Sequence, residues 1–420
     1  MIKPGWTRRQ LVLRGMAAAS AAFSAPATSL PALAAQSAPA NKPPRLRITN
    51  IETFYVKVPA EEYPPDPLKL YRYGVTRVHT NEGITGTSFI AVPRTVLESW
   101  VKPTLVGEDL FAVDRHLKRL QTMRGISAEQ TWSGVEHAMW DAIGQAVKLP
   151  VAKIQGGYRD RLRVYRTAVF PGDRNQSNVP YEVPANFALR LKKSGYTAIK
   201  VQVWRRRPMD DVDMIGVMRQ AVGNDFEIMV DRTAVLPGWV WDYHTALRVA
   251  RGLEKHRTYW LEEPFDGYDV NGPARLAAEV DIPITGGELG NSLYRFLLWI
   301  MNKSYDIIQP DTRICGGIWI ARKVSILAEA FGIPCIQHGI NGLALAGYIQ
   351  AGCAMPNCEW QEMVGIGANL PEEEWQPALK ILRTPHAFRI EKGFVYLPDL
   401  PGLGLDINED ALKEYRVDDA

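Results

Sequence analysis

The sequence predicts an α/β fold: a barrel of parallel strands preceded by an α+β unit. Three observations predict it. Short apolar runs recur at 25–35-residue spacing from Leu162 to Met363, with a helical pattern between them. Three consecutive runs each end on a carboxylate: Ile228-Met229-Val230-Asp231, Tyr259-Trp260-Leu261-Glu262 and Pro283-Ile284-Thr285-Gly286-Gly287-Glu288. Ahead of them, the stretch from Leu46 to Ala91 reads as an antiparallel meander.

Taken in order, residues 1–40 stand apart from the fold. Thr7-Arg8-Arg9-Gln10-Leu11-Val12-Leu13 reads as a twin-arginine export signal, followed by an Ala-rich segment and a small-x-small cleavage site at Ala32-Leu33-Ala34. Cleavage near Ala34 and Ala35 and a periplasmic mature protein are expected. Pro26 and Pro31 argue against a transmembrane helix there. The formal charge of +3, with 46% hydrophobic and 23% charged residues, suits a globular protein. It points to neither nucleic acid nor a membrane surface as partner. Cys315, Cys335, Cys353 and Cys358 form no Cys-x-x-Cys pair and read as buried free thiols rather than a zinc site.

After a linker from Ala38 to Pro44, residues 41–160 form the expected α+β domain. Its strands run from Arg47 to Val56, Tyr73 to Thr80 and Ile84 to Ala91, with the turn at Asn81-Glu82-Gly83. Helical patterns follow at Thr95–Val101, Ala112–Met123 and Ser133–Ala146. Residues 161–372 carry eight strands: Leu162–Val169, Ala198–Val203, the three acid-ended runs, Asp306–Gln309, Ile333–Gln337 and Cys358–Met363. That count fits a TIM-type barrel. The segment 373–420 reads as loop-like and is expected to pack back on the first domain.

The ends of parallel barrel strands converge on one face, so Asp231, Glu262 and Glu288 are drawn together there. Carboxylates so placed repel unless a cation joins them, and oxygen-only ligands favour Mg²⁺ before Mn²⁺ or Ca²⁺. Strand seven ends Gln337-His338-Gly339 and strand six ends Gln309-Pro310-Asp311, which puts His338 beside an acid that orients and activates it as a base. In Ile199-Lys200-Val201-Gln202, period-2 alternation sets Lys200 and Gln202 on the inner face. A lysine there needs an anion, a substrate or metal-site carboxylate. On strand eight Glu362, in preference to Glu359, is expected to point inward as a neutral acid hydrogen-bonding to substrate.

Four stretches carry a family resemblance. They are Gly134-Val135-Glu136-His137-Ala138-Met139-Trp140-Asp141-Ala142-Ile143-Gly144, Trp260-Leu261-Glu262-Glu263-Pro264, Ile307-Ile308-Gln309-Pro310-Asp311 and Pro401-Gly402-Leu403-Gly404. With them the chain resembles the mandelate racemase/muconate lactonizing enzyme branch of the enolase superfamily over residues 45–410. The resemblance implies a modified TIM barrel, (β/α)7β, under an α+β N-terminal capping domain. It implies one Mg²⁺ per subunit on Asp231, Glu262 and Glu288, with Mn²⁺ as a substitute, and Glu263 as a neighbour. It implies proton abstraction α to a carboxylate by the His338–Asp311 dyad, and a homo-oligomer. Selectivity would lie in capping loops at Val58–Tyr71 and Arg124–Ile126, where Tyr63, Tyr71 and Arg124 are candidates.

Two positions depart from the pattern. Gln202 stands where two-base members carry the second lysine of Lys-x-Lys, and Asp231-Arg232-Thr233 lacks the common Asn. A one-base reaction is expected: a sugar-acid dehydratase that eliminates the β-hydroxyl and yields a 2-keto-3-deoxy acid. Epimerisation, racemisation or cycloisomerisation of a carboxylate is the alternative. A periplasmic binding protein without turnover is the third reading, disfavoured because a binder has no need of a base.

Overall fold

Alternating burial drives the first sheet. Ile48, Ile51, Phe54 and Val56 point inward from Ile48–Lys57, and this strand pairs antiparallel with Arg72–Thr80, which pairs with Thr85–Ser88. The computed structural model describes residues 46–59, 72–123, 131–170, 179–234, 239–366 and 369–417. The twin-arginine segment and the loop residues Tyr63, Tyr71 and Arg124 lie outside the described residues. Behind the sheet runs the helix Ser133–Val147, buried from Ser133 to Gly144. Gly86 permits this contact, since a Cβ there would stand 2.0 Å from the Ala138 carbonyl. The predicted helix at Thr95–Val101 is broken: Arg94–Val96 is followed by a π turn over Leu97–Val101 and a further turn over Lys102–Leu105.

The barrel strands lie at Arg161–Val169, Ala198–Gln202, Glu227–Asp231, Leu261–Glu262, Ile284–Gly286 and Ile307–Ile308, each parallel to the next. The seventh position is reduced to one bridge between Ile308 and Cys335, with Cys335 N donating to Asn357 O at 2.9 Å. The eighth strand, Trp360–Ile366, pairs parallel with the first and closes the ring. Below the mouth the interior is filled by Tyr165, Met229, Trp260, Ile307, Ile336 and Trp360. The Tyr165 ring meets Trp260 edge-on at 5.4 Å and Trp360 at 6.1 Å. The barrel is therefore a packed core with chemistry confined to one end.

The C-terminal segment is more structured than its loop-like sequence suggests. Ile390–Glu391 and Phe394–Tyr396 form a hairpin that pairs antiparallel with barrel strand one. Glu409–Glu414 is helical, and Arg416–Val417 pairs with Ile48–Lys57 of the first sheet. The hydrophobic signal is weak there because each piece is short and borrows its partner from a distant strand. The four cysteines are buried and free. Among the described residues no helix is long and apolar enough to cross a membrane.

Two buried acids of the Ser133–Val147 helix join the layers. Asp141 Oδ2 accepts from Thr87 N at 2.8 Å and Oδ1 from Leu403 N at 2.7 Å, which ties the Pro401-Gly402-Leu403-Gly404 tail to the first sheet. Gly402 is required at this point: its φ is +72°, and a Cβ would lie 2.1 Å from Asp141 Oδ1. Glu136 reaches the barrel. Its carboxylate accepts from Ile318 N and Trp319 N, both at 2.8 Å, at the start of the barrel helix Ile318–Ala330, and from Trp140 Nε1 at 2.9 Å. Burial pushes Glu136 up to about 7, against which these donors stabilise the anion. Glu136→Ala strips the acceptor from three N–H groups, a loss of about 2–4 kcal/mol. Urea denaturation should show a lower midpoint; an unchanged midpoint would remove this contact from the forces joining cap and barrel.

Candidate active site

Each site residue is delivered by a strand end. Parallel register sets Gln202 beside Asp231 and Asp231 beside Glu262. Glu288 follows two residues after Ile284–Gly286, and Asp311 and His338 follow strands six and seven. Backbone strain marks the turn out of the strands: Thr233 has φ +47° and Glu263 φ +43°, conformations that cost non-glycine residues about 1–3 kcal/mol. At Glu263 this turn accompanies a hydrogen bond from Gly287 N to Oε1 at 3.2 Å.

Lys200 occupies the centre. Its side chain is fully buried, and Nζ lies 2.8 Å from Glu262 Oε1, 2.8 Å from Glu362 Oε1 and 3.4 Å from Asp231 Oδ2. Burial works against the ammonium, but Glu262, Glu362 and Asp231 outweigh it and hold the pKa well above the usual lysine value. Asp231 is braced by Thr233, whose N and Oγ1 both donate to Oδ1 at 2.7 Å, and by Gln202 Nε2 at 3.2 Å from Oδ2. Glu262 Oε2 accepts from Gln309 Nε2 at 3.0 Å and Trp260 Nε1 at 3.2 Å.

Glu362 corrects one expectation and decides another. It does face inward, fully buried, whereas Glu359 is exposed. It is not the expected neutral acid. Burial opposes its charge, yet Lys200 and His338 draw its pKa down to about 2. Gly339 N donates to Oε2 at 2.7 Å and Thr167 Oγ1 donates to Oε1. Glu362 is thus an ionised anchor for Lys200. Sequence reading placed Lys200 inside but missed its pairing with Glu362, because that pairing joins strands two and eight across strand one.

The histidine stands on the other side of the mouth. His338 Nδ1 lies 2.8 Å from Asp311 Oδ2, and Nε2 lies 3.2 Å from Glu288 Oε2. Burial favours a neutral ring, but Glu288, Glu362 and Asp311 raise its pKa well above the usual value. Asp311 is fully buried, which disfavours its charge, and His338 holds it below the usual carboxylate range. Sequence reading also did not foresee Thr167, Trp260 or Tyr348, whose hydroxyl donates to Asp311 Oδ1 at 2.5 Å. For Thr167, strand one is buried along nearly its whole length, so alternation there carries no inward signal.

The three expected metal ligands come to one end of the barrel but do not converge on a single point as they stand. Among the described residues no group of three or more His, Cys, Asp or Glu side chains has metal-holding geometry. Lys200 takes Glu262 and Asp231, and His338 takes Glu288. The donor set still fits a hard divalent ion. Asp231, Glu262, Glu263, Glu288 and Glu362 are all buried, against the two cationic groups Lys200 and His338. Burial pushes Glu262 up to about 8 despite Lys200, with Asp231 and Glu362 adding repulsion. Burial raises Glu288 as well, and burial with repulsion from Glu288 raises Glu263. Such crowding is what a bound cation would relieve.

Barrel, cap and acid-lined mouth together define an enzyme class that removes a proton next to a carboxylate. The chain belongs to the mandelate racemase/muconate lactonizing enzyme branch of the enolase superfamily. Residues 183–411 match the enolase C-terminal domain-like family, and residues 63–156 match the mandelate racemase/muconate lactonizing enzyme N-terminal domain. The chain is 28% identical over 327 residues to arabinonate dehydratase of Saccharolobus solfataricus, covering 76% of this chain and 82% of that one. It is 28% identical over 353 residues to 3,6-anhydro-alpha-L-galactonate cycloisomerase of Streptomyces coelicolor, covering 81% and 90%. The structure of D-glucarate dehydratase from Agrobacterium tumefaciens, complexed with magnesium, superposes with a TM-score of 0.76 at 28% identity, covering 89% of this chain and all of that one.

The central lysine makes a prediction about the metal-free protein. Lys200→Met leaves buried carboxylates without their counter-ion, a loss of about 3–5 kcal/mol when one partner of a buried ionic group is removed. Melting in EDTA should show a clear drop, and added Mg²⁺ should restore more stability to the variant than it adds to the parent. Equal melting temperatures in EDTA would show that Lys200 does not hold the acids together.

Proposed function

We propose that this protein is a Mg²⁺-dependent sugar-acid dehydratase, a hydro-lyase that yields a 2-keto-3-deoxy acid. One observation carries the reading. Among the described residues at the mouth, His338 on Asp311 is the one histidine placed to take a proton, while the facing position on strand two is the amide of Gln202. The names of the relatives support the class of substrate, since arabinonate, galactarate, xylonate and galactonate dehydratases are among them. The magnesium complex of D-glucarate dehydratase supports the choice of ion.

Asp231, Glu262 and Glu288 would hold the ion. When bound, Mg²⁺ supplies positive charge against the second negative charge that a substrate carboxylate develops as its α-proton leaves. His338 Nε2 takes that proton. Nε2 faces Glu288 Oε2 at 3.2 Å, and were Glu288 to hold the ion, Nε2 would be left to the substrate. Asp311 holds Nδ1 and stabilises the imidazolium. The same imidazolium then returns its proton to the departing β-hydroxyl, and water leaves. Lys200, anchored by Glu362, directs its remaining charge at the substrate carboxylate. Gln202 cannot deliver a proton from the opposite face, which disfavours two-base racemisation. Cycloisomerisation remains the second reading, favoured by the relative of that activity.

The test is a screen of residues 36–420 with Mg²⁺ against a library of sugar acids, reading 2-keto acid formation with an EDTA control. Metal-dependent product is expected, and His338→Asn should fold normally and lose turnover by about 10²–10⁴-fold. Near-parental kcat in that variant would take His338 out of the mechanism, and a silent library would shift the weight to cycloisomerisation. We propose too that the twin-arginine segment sends the folded enzyme to the periplasm. Replacing Arg8 and Arg9 by lysine should then keep activity in the cytoplasmic fraction, and unchanged periplasmic recovery would refute this route.

A further inference from the structure

The orientation of Asp311 is fixed by more than His338. Oδ2 is given to His338 Nδ1 at 2.8 Å. Oδ1 accepts from the Tyr348 hydroxyl at 2.5 Å, from Arg313 N at 2.7 Å and from Ile314 N at 3.2 Å. The two backbone donors come from the turn that follows Asp311 itself. Tyr348 is the one side chain in this set, and it arrives from elsewhere: the helix Leu345–Ala354, which follows strand seven. Its side chain is fully buried, and its own backbone oxygen accepts from Gln337 Nε2 at 2.9 Å, next to His338 in sequence.

Tyr348 also meets the capping domain. The ring of His137, on the helix Ser133–Val147, lies 6.2 Å from the Tyr348 ring and hydrogen-bonds the Thr312 backbone beside Asp311. Gly347 makes room for this, because a Cβ there would stand 2.3 Å from His137 Nδ1. The contacts run without interruption from a cap helix, through Tyr348, to Asp311 and His338.

We infer that Tyr348 is a positioning residue for proton abstraction: its hydroxyl locks the Asp311 carboxylate in the rotation that orients His338, and His137 of the capping domain seats Tyr348. A carboxylate with both oxygens engaged has one orientation. With the phenol removed, Oδ1 keeps only the two backbone donors of its own turn, the carboxylate can tilt about them, and the acceptor at His338 Nδ1 is less firmly placed. The base is then misplaced while the groups that bind substrate, on the other side of the mouth, are untouched. The effect therefore falls on kcat and not on KM.

The experiment compares Tyr348→Phe, Asp311→Asn and the double variant, all loaded with Mg²⁺. Phenylalanine keeps the ring and its packing, so melting temperature should move little. For whichever of D-galactonate and D-glucarate the parent turns over, Tyr348→Phe should lower kcat about 10–100-fold, with KM within about two-fold. It should add nothing to Asp311→Asn, since both changes break one chain of contacts. A second readout needs no turnover: in protein labelled with nitrogen-15 histidine, the downfield Nδ1 proton of His338 should shift or broaden in Tyr348→Phe. Additive losses in the double variant, or an unmoved resonance, would overturn the inference. The turnover arm rests on the dehydratase reading and the resonance arm does not. Should the parent turn over neither acid, the resonance alone decides Tyr348.

Discussion

The site depends on one ammonium group. Lys200 Nζ sits among Glu262, Glu362 and Asp231 with no exposure to water, inside a barrel whose interior is otherwise aromatic and aliphatic. An unpaired ion at that depth costs several kcal/mol, and so does each carboxylate around it. Neither half of the arrangement is tolerable alone. The lysine is held by the acids, and the acids are held together by the lysine. This mutual dependence fixes where strands two, three, four and eight must end relative to one another.

It also divides the acids into two kinds. Glu362 has three partners besides proximity to His338: Lys200, Gly339 N and Thr167 Oγ1. It is ionised and committed. Glu262, Glu263 and Glu288 are pushed towards protonation by burial and by the acids around them, even though Glu262 also meets Lys200, Gln309 and Trp260 and Glu288 meets His338. Charge that is committed orients Lys200, whereas charge that is held reluctantly is free to be taken up by a cation. One cluster of carboxylates thereby performs two tasks, and environment, not residue type, assigns them.

The barrel was readable because its signal is local. Each of Asp231, Glu262, Asp311 and His338 follows an apolar run of the right length, so the end of a strand can be named without knowing its neighbours. Lys200 was placed inside by alternation alone, and the structure puts it there. The partners were harder. That Lys200 meets Glu362, or that Tyr348 meets Asp311, depends on which elements lie side by side after the ring has closed. Strand seven is a single bridge and strand one is buried on both faces, so neither offers a periodic pattern to read. Ionisation was least accessible of all. Glu362 was expected neutral so as to hydrogen-bond the substrate; the ammonium that reverses the expectation is 162 positions away in the chain.

The asymmetry of the mouth follows from the same packing. His338 stands at the end of strand seven with Asp311 on Nδ1 and Glu288 opposite Nε2. Gln202, across the mouth on strand two, spends its amide N–H groups on Asp231 and on Thr233 Oγ1 at 3.1 Å. A lysine at that position would compete with Lys200 for the same carboxylates and would add a second buried charge. An amide braces Asp231 without doing either. Replacing a base by an amide therefore does more than delete a proton acceptor. Among the described residues it leaves Lys200 as the one ammonium within the acid cluster, and in the proposed reaction it would confine proton transfer to the face of the substrate that His338 addresses.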